Sequence, residues 1–180
     1  PCEMSANEKQ NIADAVDTAT RCDVAVVVLG DNRKTVGESV SRTSLQLPGY
    51  QQQLLEAVYK TGKPVIVVLV SGRPMAINWA DKYCPAIIEA WFPGSYCGQA
   101  IAETIFGDYN PGGKLSVTFP RTVGQIPLNF PAKPASQAGQ SKKGNPNGYG
   151  RSRIGGALYP FGFGLSYTTF KYSKPTLNES

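Results

Sequence analysis

The chain has 180 residues, 41% of them hydrophobic, and a formal net charge of +5. This length predicts one domain, and the apolar content suffices for a hydrophobic core, which excludes an intrinsically disordered chain. The sequence contains no histidine, so the commonest general base and metal ligand in proteins is absent. No apolar run approaches the roughly 20 residues of a membrane-spanning helix. The first ten residues show no signal peptide, which does not exclude secretion of a longer precursor.

The four cysteines argue against a metal site. Cys2, Cys22, Cys84 and Cys97 form no C-x-x-C pair, so the spacing does not match that of zinc ligands. We expect free, buried thiols, with a Cys84–Cys97 disulfide as the alternative in an oxidising compartment. Without a metal or cofactor, catalysis must rest on carboxylates, hydroxyls, amides or basic side chains.

Nucleic acids and nucleotides are not the expected ligands. Basic residues cluster only at 142–143 and 151–153, inside a Gly/Ser/Asn-rich stretch that we interpret as a solvated loop. Gly30 follows a predicted strand, but no G-x-G-x-x-G motif follows it. The segment 161–164, FGFG, lacks the preceding strand and following helix of a phosphate-binding loop.

Helices and strands alternate along the first two thirds of the chain. Periodicity and turn signals predict helices over 5–21, 50–60, 75–82 and 95–106, and strands over 23–30, 64–70, 85–91 and 115–119, the last at a sheet edge. Ser5 and Glu8 form a capping box at the first helix. The strand 23–30 is continuously apolar, as expected for a parallel strand buried on both faces.

Several helical side chains are expected to face inward. They recur at helical spacing on one side of their helix. They are Ile12, Ala15, Val16 and Ala19 in the first helix, Leu54, Leu55 and Val58 in the second, and Ile101, Ile105 and Phe106 in the last.

This alternation predicts an α/β fold, a three-layer α/β/α sandwich with a mostly parallel sheet. The order begins with a helix, which suggests that an N-terminal β-α unit is missing. We assign residues 1–172 to this domain. Within it, 120–156 is a long Pro/Gly/Ser-rich loop, of a kind that is usually functional or mobile, and 157–172 is strand-like. Residues 173–180 are expected to form a linker.

The stretch 23–53 contains the best candidate site. Ligands of open α/β sheets bind beyond the carboxyl ends of the strands, and a polar loop with one glutamate, Glu38, follows the strand 23–30. Glu38 is a candidate general acid, and an exposed loop glutamate with no role is the alternative. Asp31 is a candidate for binding ligand hydroxyl groups or for capping a turn. Arg42 is a candidate ligand contact or a pin for the loop through pairing with an acid.

Aromatic residues form a second candidate feature at the same rim. Most aromatic side chains in the chain are expected to pack in the core. Trp91 and Phe92 are the exceptions, since they follow the strand 85–91 at its carboxyl end. Trp91 is therefore a candidate for stacking on a sugar ring.

Four stretches together resemble the second domain of family 3 glycoside hydrolases. They are GESVSRTSLQLPGYQQQLLEAV, TGKPVIVVLVSGRP, EAWFPGSYCGQAIAETIFGDYNPGGKLSVTFPRTVGQIP and GALYPFGFGLSYTTF. They follow the order and spacing of the family, and the periplasmic bacterial β-glucosidases, with their G-E-x-x-S-R-T-x-L-x-L-P signature, are the most similar branch. The resemblance implies a six-stranded α/β sandwich packed against an N-terminal barrel.

The resemblance also implies a chemistry. The family hydrolyses terminal, non-reducing β-linked glucose or xylose with retention, using an Asp nucleophile on the barrel and an acid/base Glu whose place Glu38 occupies here. It implies β-linked oligosaccharide or glucoside substrates and a periplasmic or extracellular location. This chain lacks the barrel, its nucleophile and the family's sugar-holding Lys-His segment, so alone it is expected to be inactive. A non-catalytic carbohydrate-binding or assembly domain is the alternative.

One departure from the family concerns the segment before LYPFG. The family branch usually carries an aromatic residue and an aspartate there, whereas this chain has GYGRSRIGGA, with Arg153 and glycines. We therefore expect an altered subsite contact and an altered preference for the leaving group.

Overall fold

A computed structural model of the chain describes residues 4–128, 130–131 and 156–177. In chain order the helices are α1 (Ala6–Thr20), α2 (Gln51–Tyr59), α3 (Asn78–Tyr83), α4 (Cys97–Phe106) and a 3-10 turn (Val123–Gln125). The strands are β1 (Ala25–Gly30), β2 (Val65–Val70) and β3 (Ala86–Glu89). Seven of the eight predicted elements therefore exist, with ends shifted by a few residues.

The three strands form one parallel sheet in the order β1-β2-β3. Ala25 lies opposite Val65, and Ile66 lies opposite Ala86. Each strand is joined to the next through a helix, as parallel pairs require. The predicted α/β class with a parallel sheet is confirmed. All three carboxyl ends consequently meet at one edge of the sheet.

The core lies under one face of this sheet. Its largest fully buried side chains are Phe119, Leu55, Leu69, Met75, Val65 and Val67. Leu55 and Val58 of α2 are buried and Leu54 is half-buried, as predicted.

The capping box of α1 is present, since Glu8 N donates to Ser5 Oγ (3.2 Å) and Ser5 N donates to Glu8 Oε2 (2.8 Å). Of the predicted apolar face of α1, only Ala19 is buried.

The second face of β1 is open, so the prediction that this strand is buried on both faces is wrong. Val24, Val26 and Val28 are 45%, 46% and 61% exposed, whereas Val27 and Leu29 are buried. The described part of the chain therefore leaves about half of each of these three valines exposed. A continuous run of valines predicts a strand, but it does not predict whether each face of that strand is buried.

Helix α4 also differs from its prediction. It buries none of its side chains among the described residues; Ile101 and Ile105 are half-buried. Phe106, expected to point inward, is 82% exposed. The apolar spacing predicted the helix correctly, but it did not predict which of its side chains are buried.

The predicted fourth strand over 115–119 is not formed as a strand. Phe119 and Tyr159 make an isolated antiparallel bridge, and Leu115 N donates to Phe163 O (2.8 Å) farther along. The strand-like stretch 157–172 forms no regular strand among its described residues, although Leu158 N also donates to Phe119 O and Gly162 N to Leu115 O, each at 2.8 Å. Phe119 itself is 1% exposed and anchors the bridge in the core. The predicted basic clusters at 142–143 and 151–153, with Arg153, lie outside the described residues.

The three cysteines that the structure describes, Cys22, Cys84 and Cys97, have free thiols. Cys84 and Cys97 do not form the alternative disulfide, and Cys22 is exposed, contrary to the expectation of burial. Burial raises the pKa of the Cys84 thiol, so this group is protonated and unreactive at neutral pH. Cys2 lies outside the described residues.

Candidate functional site

The site begins where β1 ends. Gly30 has φ +135°, and a Cβ placed there would lie 2.0 Å from Val70 O, so only glycine fits. Its N–H donates to Gln51 Oε1 (2.7 Å), and Gln51 Nε2 donates back to its carbonyl (2.9 Å). Asp31 N then donates to Val70 O (2.9 Å). The chain therefore leaves the sheet from a fixed point, held between β2 and the first turn of α2.

A buried ion-pair cluster lies directly beyond this point. The Asp31 side chain is fully buried, and its two oxygens face two arginines: Oδ1 lies 3.1 Å from Arg42 Nη1 and Oδ2 lies 3.5 Å from Arg73 Nε. Arg42 also donates to Gln46 O (2.6 Å). A buried carboxylate needs such partners, because an uncompensated charge in the interior is costly. The predicted pairing of Arg42 with an acid is present.

Arg73 connects the end of β2 to the loop after β1. Besides its contact with Asp31, its Nη2 donates to Thr35 O (3.0 Å). Thr35 belongs to a tight turn in which Asn32 O accepts from Thr35 N (2.9 Å) and from Val36 N (3.1 Å). One guanidinium therefore holds both the start of the loop and its first turn.

Glu38 lies at the apex of a second turn. Val40 N donates to Gly37 O (3.1 Å), which closes a β-turn with Glu38 and Ser39 at its two central positions. Gly37 has φ +140°, and Ser39 has φ +61°, a left-handed conformation that is uncommon for serine. The Glu38 side chain is exposed. No side chain of the described segments forms a hydrogen bond or ion pair with its carboxylate.

The Glu38 loop also packs against the segment that follows β3. Gly72 lies between them: a Cβ at this position would be 2.6 Å from Val36 Cγ2 and 2.9 Å from Phe92 Cε2. The missing side chain of Gly72 therefore allows Val36 and Phe92 to approach each other over the end of β2. Packing and ion pairs thus hold the same loop from two sides.

A second glutamate occupies the end of β3. Glu89 Oε1 lies 3.0 Å from Trp91 N, which donates to it, and 3.3 Å from the Ser71 hydroxyl, which also lies 3.0 Å from Arg73 O. Glu89 Oε2 is buried without a partner among the described residues. Burial raises the pKa of Glu89 from its usual 4.5 to about 7, although the bonds from Trp91 and Ser71 act in the opposite direction. Glu89 is therefore partly protonated at neutral pH.

Trp91 is held by this glutamate and by the core. Its backbone is left-handed (φ +53°), and its half-buried ring lies 5.9 Å from the Phe119 ring, centroid to centroid. Phe92, the other aromatic residue of this rim, is 51% exposed. The indole packs inward, and stacking of Trp91 on a sugar stays a prediction.

An apolar groove of about 780 Å³ opens beside the Glu38 turn. Val36, Gly37 and Arg73 line one side, and Phe130 and Phe161 line another. These two phenylalanine rings stack at 4.4 Å with an angle of 3° between their planes. The groove is within the size range of pockets that bind small molecules.

The structure brings together some of the predicted site residues. Asp31 and Arg42 are in contact, and Glu38 lies on the loop that they anchor. Trp91 is on the same sheet edge and makes no contact with Glu38 in the described part of the chain. Sequence reasoning missed Arg73 and Glu89. Both were detectable, because Arg73 closely follows β2 and Glu89 ends β3, and the carboxyl ends of all three parallel strands meet at one edge of the sheet.

The described residues contain no arrangement typical of a metal site or a membrane span. They hold no group of three or more Cys, Asp or Glu side chains that could bind a metal ion. Among the helices of residues 4–128, 130–131 and 156–177, none has the length and apolar content to cross a bilayer.

Comparison with known proteins assigns the family. Residues 3–167 match the glycosyl hydrolase family 3 C-terminal domain, with the parallel sheet and the Glu38 loop inside the matched region. The chain therefore belongs to glycosyl hydrolase family 3.

The relatives are larger enzymes. The chain is 45% identical to a β-xylosidase of Formosa agariphila over 99% of its own length and 24% of that protein. It is 44% identical to a periplasmic β-glucosidase of Salmonella typhimurium over 93% of the chain and 22% of that protein. A solved β-glucosidase from Erythrobacter marinus matches with a TM-score of 0.80 and 41% identity, over 93% of the chain and 22% of that protein. The chain spans about a quarter of the length of these relatives.

Proposed function

We propose that this chain is the acid/base-bearing domain of a retaining, exo-acting β-glycosidase, with Glu38 as the general acid/base. The enzyme would release terminal non-reducing β-D-glucosyl or β-D-xylosyl residues. Relatives of nearly equal identity are named β-xylosidase and β-glucosidase, so the proposal covers both sugars. A barrel domain elsewhere in the enzyme would supply the Asp nucleophile.

The observation that carries the proposal is the presentation of Glu38. Its carboxylate is exposed at the apex of the Gly37–Val40 turn, and the loop behind it is anchored by a buried ion-pair cluster. A general acid must reach the leaving oxygen in a defined geometry. A free carboxylate on a fixed turn meets that requirement, whereas Glu89 is enclosed and already bonded to Ser71 and Trp91.

The reaction would use Glu38 twice. In the first step the protonated Glu38 gives its proton to the glycosidic oxygen while the nucleophile attacks the anomeric carbon, and the alcohol leaves. In the second step the Glu38 carboxylate takes a proton from water as that water attacks the anomeric carbon and releases the sugar. The two carboxyl groups of a retaining pair stand about 5–5.5 Å apart.

Glu38→Gln in the full-length enzyme tests the proposal. The kcat/KM for phenyl β-D-glucoside, whose leaving group needs a proton, should fall about 10²- to 10⁴-fold. The kcat/KM for 2,4-dinitrophenyl β-D-glucoside should fall less than about tenfold, because this leaving group departs without protonation. Asp108→Asn, which removes an exposed carboxylate elsewhere in the domain, is the control and should change neither value.

A second measurement isolates the base step. With Glu38→Ala and 2,4-dinitrophenyl β-D-glucoside, azide should raise kcat and yield β-glucosyl azide, since this anion attacks without a general base. Equal losses on both substrates, with no azide effect, would remove Glu38 from the acid/base role. A folded full-length protein that turns over no β-glucoside or β-xyloside would favour the binding or assembly alternative.

The proposed location is the periplasm or the cell exterior. It rests on the Salmonella typhimurium relative, which is named as periplasmic. Release of the enzyme by osmotic shock, together with a periplasmic marker, would support this location. Retention with a cytoplasmic marker would contradict it.

A further inference from the structure

We propose that Arg73 is a positioning residue for the acid/base turn, acting through Glu38 and not on the substrate. This inference rests on the proposed role of Glu38. Arg73 follows β2, is separate in sequence from the Glu38 loop, and makes contacts that define where that loop begins.

The first argument is the geometry of the Arg73 guanidinium. Its Nε faces Asp31 Oδ2 at 3.5 Å in an ion pair without a hydrogen bond between these two atoms, and its Nη2 donates to Thr35 O at 3.0 Å. These contacts lie seven and three positions before Glu38, at the start of the loop and at its first turn. The planar arginine guanidinium presents its donors in a fixed fork, whereas the lysine ammonium is a compact charge on a flexible stem.

The second argument is that the backbone of Arg73 is itself fixed. Its carbonyl lies 3.0 Å from the Ser71 hydroxyl, which is fully buried and also contacts Glu89. The neighbouring Gly72 is packed between Val36 and Phe92. The guanidinium therefore projects from a rigid strand end, and it transmits that rigidity to the turn of Glu38.

The third argument concerns the far side of the loop. Asp31 contacts Arg42 as well, and Arg42 donates to Gln46 O after the Glu38 turn. Asp31 thus contacts two arginines. Arg73 contacts the start of the loop, and Arg42 contacts the segment that follows the Glu38 turn. Loss of Arg73 removes its contacts with Asp31 and Thr35 while leaving Glu38 and the residues of its turn unchanged.

The test uses the full-length enzyme and two changes at this position, Arg73→Met and Arg73→Lys. Misplacing a catalytic group by about 1 Å can cost about 100-fold in rate. We therefore expect Arg73→Met to lower kcat/KM for phenyl β-D-glucoside about 10- to 100-fold, with less than about threefold loss for 2,4-dinitrophenyl β-D-glucoside. Arg73→Lys should keep the charge and recover only part of the loss. Arg21→Met, which removes a surface Arg–Asp pair, is the matched control and should leave both substrates unaffected.

A double variant separates positioning from general damage. In the Glu38→Gln background, Arg73→Met should not further increase the difference in kcat/KM between the two substrates. The reason is that the Glu38 carboxyl group, which Arg73 positions, is already absent. Equal losses on both substrates, or a change confined to KM, would overturn the inference and indicate a structural or substrate-binding role. If Arg73→Met does not fold, Arg73→Lys tests the inference by itself, through the ratio of its kcat/KM losses on the two substrates.

The same data distinguish the two proposals. If Glu38→Gln shows no leaving-group dependence, the proposed function fails, and the Arg73 inference fails with it. If Glu38→Gln shows the dependence and Arg73→Met does not, only the inference about Arg73 is wrong.

Discussion

Two glutamates lie at the same edge of the sheet, and they differ in exposure and in hydrogen bonding. Glu38 is exposed at a turn apex, without a partner among the described residues. Glu89 is enclosed at the end of β3, where it holds Trp91 and Ser71. Glu89 has the raised pKa, yet its carboxylate faces the interior. The difference shows that a perturbed pKa identifies burial first, and that access to substrate must be established separately.

Both loops gain their shape from groups behind them. The Glu38 turn is fixed through Asp31, Arg42 and Arg73, and the left-handed Trp91 is fixed through the carboxylate of Glu89. The first arrangement leaves the Glu38 carboxylate exposed, whereas in the second the Glu89 carboxylate is itself the acceptor that holds the loop. Three substitutions would sharpen or break this contrast.

The largest effect on stability is expected from Asp31→Asn. The change removes the charge that compensates two guanidinium groups, which are only 15% and 20% exposed. We expect the free energy of unfolding to fall by about 3–4 kcal/mol, near the lower part of the range for broken buried ion pairs. Urea unfolding of the chain measures this difference. Asp17→Asn, in an exposed pair with Arg21, should cost less than about 0.5 kcal/mol; similar losses at both positions would contradict the anchoring role of Asp31.

Glu89→Gln should change how stability depends on pH. The folded state holds the Glu89 proton more tightly than the unfolded state, so the free energy of unfolding falls as pH rises from about 4.5 through about 7. Glutamine carries no charge, so the variant does not lose stability as the pH rises. Its free energy of unfolding should exceed that of the wild type by about 2–3 kcal/mol at pH 8. The advantage should vanish near pH 4.

Urea unfolding at pH 4, 6 and 8 checks this expectation for Glu89. Glu103→Gln, which changes a carboxylate bonded to Gln99 on the surface of α4, provides the comparison and should not show the trend. A constant difference between wild type and Glu89→Gln at all three pH values would show that burial of this carboxylate does not govern its protonation.

Gly72→Ala should have the smallest effect of the three. The new methyl group meets Val36 and Phe92 at less than 3 Å, so both side chains must move apart. Overpacking of this kind costs about 1–3 kcal/mol. Thermal unfolding measures the loss. Gly124→Ala, where no atom lies within 4 Å, is the control; equal stability of both variants would mean that the two loops are not packed through Gly72.

The elements of this fold follow closely from local sequence. Short apolar runs and helical spacing predicted the three parallel strands and the helices between them, because strand and helix periodicities are local properties. The position of Glu38 beyond β1 also followed from order alone, since carboxyl ends of parallel strands meet at one edge. The sequence did not identify the acidic residue that pairs with Arg42, because the chain contains several Asp and Glu residues.

Tertiary structure alone decided which groups surround the site. Arg73 and Glu89 come from neighbouring strands, and their contacts with Asp31, Thr35 and Ser71 join residues up to 42 positions apart. Tertiary packing also decided that Val26 and Val28 are exposed, although their sequence is that of a buried strand. The physical reason is the same in both cases: composition and spacing fix the conformation of a segment, whereas burial and charge pairing depend on what other segments bring to it.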